Sequence, residues 1–286
     1  MPGGPPIREM MMTVRIETIA STVSDNYFYA LADSHGRAAL IDPVDVDAAV
    51  ARIRELGWDL QWVINTHWHP DHVAGNAGVL KAFPEAQVVG PAGDRARIDG
   101  QFSSTPRGGV EVEMRGGETL RVGELELQVL DTPGHTEGHV SLLIDEHLFS
   151  GDVIFSGGAG HCRAGGDLGT HFATFHEVLG TLPDATLFYP GHDYTERNCE
   201  FILSIEPEHR EAKAVLEQAK ALKPRERFVS TLGVERSYNP FMRLADPGLR
   251  QALSSRYGEA IEAARAQSDD EDEAVFRCLR ALRDRW

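Results

Sequence analysis

Cysteine is scarce in this chain. Only three occur in 286 residues, Cys162, Cys199 and Cys278. Three cannot pair completely and their spacing matches no zinc knuckle, so neither a disulfide framework nor a cysteine zinc module is expected. A reducing, cytoplasmic setting is the simplest expectation. Long apolar runs are missing as well, and no stretch approaches the ~20 residues that a membrane helix needs. The opening MPGGPPIREMMM lacks the apolar core and cleavage pattern of a signal peptide, so residues 1 to about 12 are expected to form a loose tail. Basic residues are few, 28 against 44 acidic, for a net charge of −16. A general nucleic-acid or anionic-membrane binder needs a basic face, so neither partner is expected. A small basic pocket for an anionic ligand stays open. There is no G-x-S-x-G elbow, no internal repeat and no low-complexity segment.

What is present suits a soluble globular protein, with 42% hydrophobic and 25% charged residues. The first two thirds read as strands broken by turns. NYFYALAD (26–33) and AALID (38–42) flank the hairpin-like turn SHGR, and LQWVINT (60–66) is a short buried strand. Further strands are expected at 86–90, 110–114, 124–130, 139–145 and 186–191. VDAAVARIRELG (46–57) has helical spacing and stops on Gly57, and VAGNAGVLKAF (73–83) reads as a helix stopped by Pro84. Beyond about residue 194 the chain turns helical, with a break at Pro207 and a final helix. Ser268 and Glu271 fit a capping box at the start of that helix, where the acidic run 269–273 suits its N-terminus. The boundary between the two regions is placed near 193.

The densest chemistry lies in THWHPDH, residues 66–72, directly after an expected strand. In extended chain, residues two apart point the same way, so His67 and His69 can reach one ion. Asp71 and His72 lie further round the turn and can face a second ion. Imidazole with carboxylate suits zinc, iron or manganese. Three later strand-end turns offer more ligands: His135 in DTPGHTEGH, Asp152 in LFSGDVIF and His192 in LFYPGHDY. His139, in the turn of His135, is better suited to holding a ligand than to being one.

The order T-H-x-H-x-D-H, G-H-T, G-D, G-H (66–72, 134–136, 151–152, 191–192) resembles the metallo-β-lactamase superfamily. The resemblance implies an α/β fold, an αββα sandwich carrying two metal ions at one edge, followed here by a C-terminal helical domain. It implies that His67, His69 and His135 hold the first ion, that Asp71, His72 and His192 hold the second, and that Asp152 bridges them. Two such cations share a water and lower its pKa toward ~7, so the resulting hydroxide is the nucleophile and no serine or cysteine is needed. Asp71 is the one candidate acid or base beside them and is better used as a ligand. Zinc comes first among the divalent ions, with iron or manganese as alternatives.

The C-terminal third narrows the substrate. STLGVERSYNPFMR (230–243), GHDYTERNCEF (191–201) and the ending RCLRALRDRW resemble the glyoxalase II family, the hydroxyacylglutathione hydrolases. The resemblance spans almost the whole chain. It implies a catalytic domain over 1–193, a helical substrate-binding domain over 194–286, and hydrolysis of S-D-lactoylglutathione to D-lactate and glutathione; a monomer or weak oligomer is the expected assembly. Tyr194 matches a tyrosine that contacts glutathione, and Arg280 and Arg283 match two basic positions that hold its glycine carboxylate. Three residues apart, they are about 60° apart around a helix. One stretch departs from the family pattern. In GGAGHCRAGGDLGT (157–170), His161 stands where a lysine is expected, no aromatic follows, and Arg163 is left to replace the charge. That loop leaves two alternatives in play: a glutathione persulfide dioxygenase with a single iron, or a superfamily hydrolase using another thiol carrier.

Overall fold

Side-chain alternation builds two facing sheets. The structure, a computed structural model, describes residues 14–104 and 107–286, so the expected N-terminal tail lies outside the described residues. The first sheet runs in the order β1 (Arg15–Ala20), β2 (Tyr27–Ala32), β3 (Arg37–Ile41), β4 (Asp59–Ile64), β5 (Gln87–Pro91) and β6 (Val112–Met114). Its first three strands pair antiparallel and β3 to β6 pair parallel. The second sheet contains β7 (Thr119–Val122), β8 (Leu125–Asp131), β9 (Val140–Ile144), β10 (His147–Gly151) and, beyond the small hairpin β11 (Ile154–Phe155) and β12 (Gly158–Ala159), β13 (Leu187–Pro190). Its order is β13-β10-β9-β8-β7, with β13 parallel to β10.

Successive strand residues point to opposite faces. Tyr29, Leu31, Ile64 and Val89 therefore meet Leu127, Val129, Leu142 and Phe149 between the sheets. Phe28, Ala30, Val63 and Val88 face the other way, onto Ala49 and Ile53 of the helix Val46–Leu56 and Val79 and Leu80 of the helix Asn76–Ala82. Leu148 and Phe188 leave the second sheet outward and pack on Phe175, Phe201, Leu249 and Phe276. Helices thus cover both outer faces of the sandwich, as the resemblance implies, and the helices beyond residue 194 share one core with the second sheet.

Three local expectations need correction. The helix foreseen over 73–83 is split into Pro70–Val73 and Asn76–Ala82. Gly75 lies against Pro43, where a Cβ would come within 1.9 Å of the carbonyl oxygen, so close packing sets the break. The last helix, Glu271–Arg283, is capped by Asp270, whose side chain accepts from the amides of Asp272 and Glu273. Ser268 sits two residues too early and instead donates to Glu273 Oε2. Strands β1 and β7 were missed, because RIETIA and TLRV carry little apolar surface: both are edge strands and, apart from the buried Val122, their residues are half-buried or exposed.

Candidate metal centre

Five of the seven candidate ligands come from turns at strand ends, Asp71 and His72 come from the short helix Pro70–Val73, and all seven converge at one edge of the sandwich. His67 and His69 follow β4, His135 follows β8, Asp152 follows β10 and His192 follows β13. His67 Nε2 is 3.1 Å from His69 Nδ1, which is 2.9 Å from His135 Nε2. Nitrogens at ~2.0–2.1 Å from a tetrahedral ion stand ~3.3 Å apart, so the three face one point at nearly the right spacing. The second set is Asp71, His72 and His192, whose ligand atoms also lie within 4.8 Å of one another. His192 Nε2 is 3.2 Å from Asp71 Oδ2. Asp152 stands between the sets, 3.5 Å from His72 Nε2, 3.5 Å from His192 Nε2 and 3.7 Å from His135 Nε2. The glycine before His192 makes this approach possible, since a Cβ on Gly191 would meet Asp152 Oδ1 at 2.4 Å.

The far side of four imidazoles is hydrogen-bonded to oxygen, which fixes the tautomer and aims the other nitrogen inward. His67 Nδ1 donates to Thr66 Oγ1 and His72 Nδ1 to Asp42 Oδ2, both at 3.0 Å. His69 Nε2 donates to the carbonyl of Ala164 and His135 Nδ1 to that of His161. His192 Nδ1 faces Asp25 at 3.3 Å. His139 is not among the convergent atoms: its Nδ1 meets Thr132 Oγ1 and its Nε2 accepts from the amide of Asp152.

Among the described residues, the buried atoms without a hydrogen-bond partner include His72 Nε2 and Asp152 Oδ1, both facing the middle of the site. Buried polar atoms without partners are costly, and a cation would satisfy both. Charge divides the sets. Burial, aided by neighbouring imidazoles, pushes His67 far below its usual pKa, and burial does the same to His135 against the pull of Asp152. Their lone pairs are therefore free. Burial would also lower His72 and His192, but the carboxylates together outweigh it, Asp152 and Asp42 at His72 and Asp152, Asp25 and Asp71 at His192, leaving His72 well above its ordinary value and His192 at about 9. Burial would raise Asp152, yet His72 and His192 hold it well below the usual carboxylate range. Divalent cations would take the place of those two protons. The donor set therefore fits a divalent metal site.

Sequence reasoning missed Asp25, Asn26 and Asp42. Asn26 donates to Asp71 Oδ2, and Asp42 accepts from Thr66 N, Thr66 Oγ1 and His72 Nδ1. The available signal was weak: Asp42 ends a strand, the position at which the ligands themselves were found.

The expected substrate contacts are more dispersed. The Tyr194 ring stacks on His192 with centroids 5.1 Å apart. The His161 ring lies 5.2 Å from that of His135. Arg163 is exposed, with Nε 3.9 Å from Asp284. Arg283 donates from Nε to Asn198 Oδ1. Arg280 is only 6% exposed, its Nη1 donating to the Ala159 carbonyl at 2.6 Å and its Nε to Asp284. The two arginines share a helix, but Arg280 is committed to internal partners. Four further contacts join the C-terminal region to the same β11–β12 hairpin. Asn198 donates to Ser156 O, Glu235 accepts from Gly157 N, and Asn239 donates to Phe155 O and Gly158 O.

Comparison with known proteins agrees with this architecture. Residues 23–192 match the metallo-beta-lactamase superfamily model, and residues 193–286 match the hydroxyacylglutathione hydrolase C-terminus model. A hydroxyacylglutathione hydrolase of Polaromonas sp. is 38% identical over 280 residues, 96% of this chain and 100% of that protein. One from Anaeromyxobacter dehalogenans is 38% identical over 263 residues, 91% of this chain and 96% of that protein. Among solved structures, ETHE1 from Myxococcus xanthus is similar at TM-score 0.62 and 27% identity, over 85% of this chain and 91% of that one. BLEG-1 B3 metallo-beta-lactamase, 22% identical, shares the fold at TM-score 0.61 over 80% of this chain and 99% of that one. The chain belongs to the metallo-beta-lactamase superfamily and, within it, to the hydroxyacylglutathione hydrolase family.

Proposed function

We infer that this enzyme hydrolyses the thioester of an S-(2-hydroxyacyl)glutathione, such as S-D-lactoylglutathione, to a 2-hydroxy acid and glutathione. The observation that carries the reading is a full set of seven convergent ligands in a chain that matches hydroxyacylglutathione hydrolases from end to end. His67, His69 and His135 would hold one divalent ion, Asp71, His72 and His192 a second, and Asp152 both. Zinc suits this mixed imidazole and carboxylate set, with iron or manganese next. When bound, such a pair supplies Lewis acidity and a nucleophile at neutral pH.

The chain's own residues do the rest. Asp42, Thr66 and the carbonyls of Ala164 and His161 keep the imidazoles aimed. Asn26 keeps Asp71 turned toward His192. The departing thiol has a pKa near ~8.5, so no strong general acid is required. Tyr194, stacked on His192, flanks the position of the reacting group. It also lines a cavity of about 410 Å³ with Tyr27 and Arg197, room for part of the peptide. Arg283 is the candidate for a substrate carboxylate, with His161 and Arg163 on the loop beside the first ligand set. The helical region from 194 onward would thus serve binding and residues 1–193 catalysis. No helix among the described residues is long and apolar enough to cross a membrane. Three free cysteines suit a cytoplasmic setting, and a monomer or weak oligomer is the working assembly.

A paired assay tests the reading. Loss of S-D-lactoylglutathione absorbance by the purified protein is the expected result. Oxygen uptake with glutathione persulfide and a single bound iron, without thioester loss, would replace it by a dioxygenase.

A further inference from the structure

His171 stands apart from the ligand atoms. It is fully buried on the helix Leu168–Ala173, with its ring edge-on to Phe175 and Phe276 at 5.2 and 5.5 Å. Such a setting would suit a phenylalanine, yet both ring nitrogens have polar partners. Nε2 lies 3.0 Å from the Val153 carbonyl, and a carbonyl only accepts, so Nε2 carries the proton. Burial pushes the ring down to about 4, which leaves it neutral with Nδ1 as an acceptor. Cys162 Sγ lies 3.3 Å from Nδ1. Burial pushes that thiol up to about 12, so it stays protonated and donates.

The two ends of this relay belong to different ligand loops. Val153 follows Asp152, and its carbonyl also accepts from Gly160 N. Cys162 follows His161, whose carbonyl accepts from His135 Nδ1 at 2.6 Å. One buried ring therefore ties the turn bearing Asp152 to the backbone that orients His135.

We propose that His171 and Cys162 are positioning residues for the first metal set. By fixing residues 160–162 against Val153, they hold the His161 carbonyl where it sets the tautomer and direction of His135. The inference rests on the two-ion reading of the site.

The test is a zinc titration of the full-length protein in competition with a chromophoric chelator. The wild type is expected to bind two ions, and His69→Ala marks which affinity belongs to the first set. His171→Phe and Cys162→Ala, shown to be folded by circular dichroism, are expected to weaken that same affinity by roughly 10-fold or more and leave the other unchanged. Cys162→Ser, which keeps a donor, is expected to stay near the wild type. Wild-type affinity at both sites in the folded Cys162→Ala variant would overturn the proposal, as would equal weakening of both sites. If His171→Phe does not fold, Cys162→Ala decides alone. A wild type that binds fewer than two ions would overturn the two-ion reading itself, a result separable from failure of the relay.

Discussion

Asp152 concentrates the electrostatics of the site in one carboxylate. It lies within 3.7 Å of one histidine of the first set and two of the second, and one of its oxygens has no hydrogen-bond partner. Replacing it by alanine would remove the ligand proposed to be shared by the two ions and the carboxylate that faces His72 and His192. Asp152→Ala is expected to lower kcat/KM by at least about 10³-fold with loss of bound metal, checked by steady-state kinetics and elemental analysis of one sample. Arg283 is a contrasting case, since it touches no ligand and its expected partner is a substrate carboxylate. Arg283→Ala is expected to raise KM about 10-fold with little change in kcat, the pattern of lost uniform binding. An unchanged KM would remove Arg283 from the binding site. The ligands were legible because each is a titratable residue in a Gly or Pro turn after an apolar run. Asp25 and Asn26 were not legible, since they act across the fold and their neighbours in sequence say nothing about His192 or Asp71.

The β11–β12 hairpin shows what the C-terminal segments do at the scale of elements. Backbone atoms of all five residues from Phe155 to Ala159 are bonded by side chains from the C-terminal region: Asn198, Glu235, Asn239 and Arg280. The segment 230–243 was legible as a family signature, but its physical role was not. Sequence alone treats it as a mark of the substrate, whereas its Glu235 and Asn239 brace the turn just beyond Asp152. Arg280 is the same kind of case. Its spacing from Arg283 fits an anion grip, yet its guanidinium sits under the hairpin, paired with Asp284. Arg280→Ala leaves the Ala159 carbonyl and Asp284 without their partner. The variant is expected to lose about 2–4 kcal/mol of stability, read from chemical denaturation. A KM effect with unchanged stability would instead return Arg280 to direct substrate contact.

Across the whole molecule, the packing of helices onto the second sheet carries a pH dependence. Glu235 is fully buried among Ser230, Tyr238, Asn239 and the amide of Gly157, with no basic side chain among the described residues bonded to it. Burial raises its carboxyl to about 7 from an ordinary 4.5. Between those values the folded chain holds a proton that the unfolded chain releases. Stability from this group is therefore full below about pH 4.5 and declines as pH rises toward 7, by up to about 3 kcal/mol. Glu235→Gln is expected to flatten that slope. The difference in Tm between variant and wild type, measured from pH 5 to 8, isolates it from the other titrating groups. Layered sheets covered by helices were legible in outline because the buried strands are apolar, whereas the αββα order came from the family resemblance. The edge strands and the split helix at Gly75 were not legible, because they depend on contacts with distant segments.

The seven residues are proposed to form a two-ion site for thioester hydrolysis. The most direct measurement is turnover of S-D-lactoylglutathione by metal-free protein during stepwise addition of zinc. No activity is expected without metal, and activity is expected to rise with a break at two equivalents per chain. Thioester hydrolysis that persists in the metal-free protein, or a break at one equivalent, would contradict it.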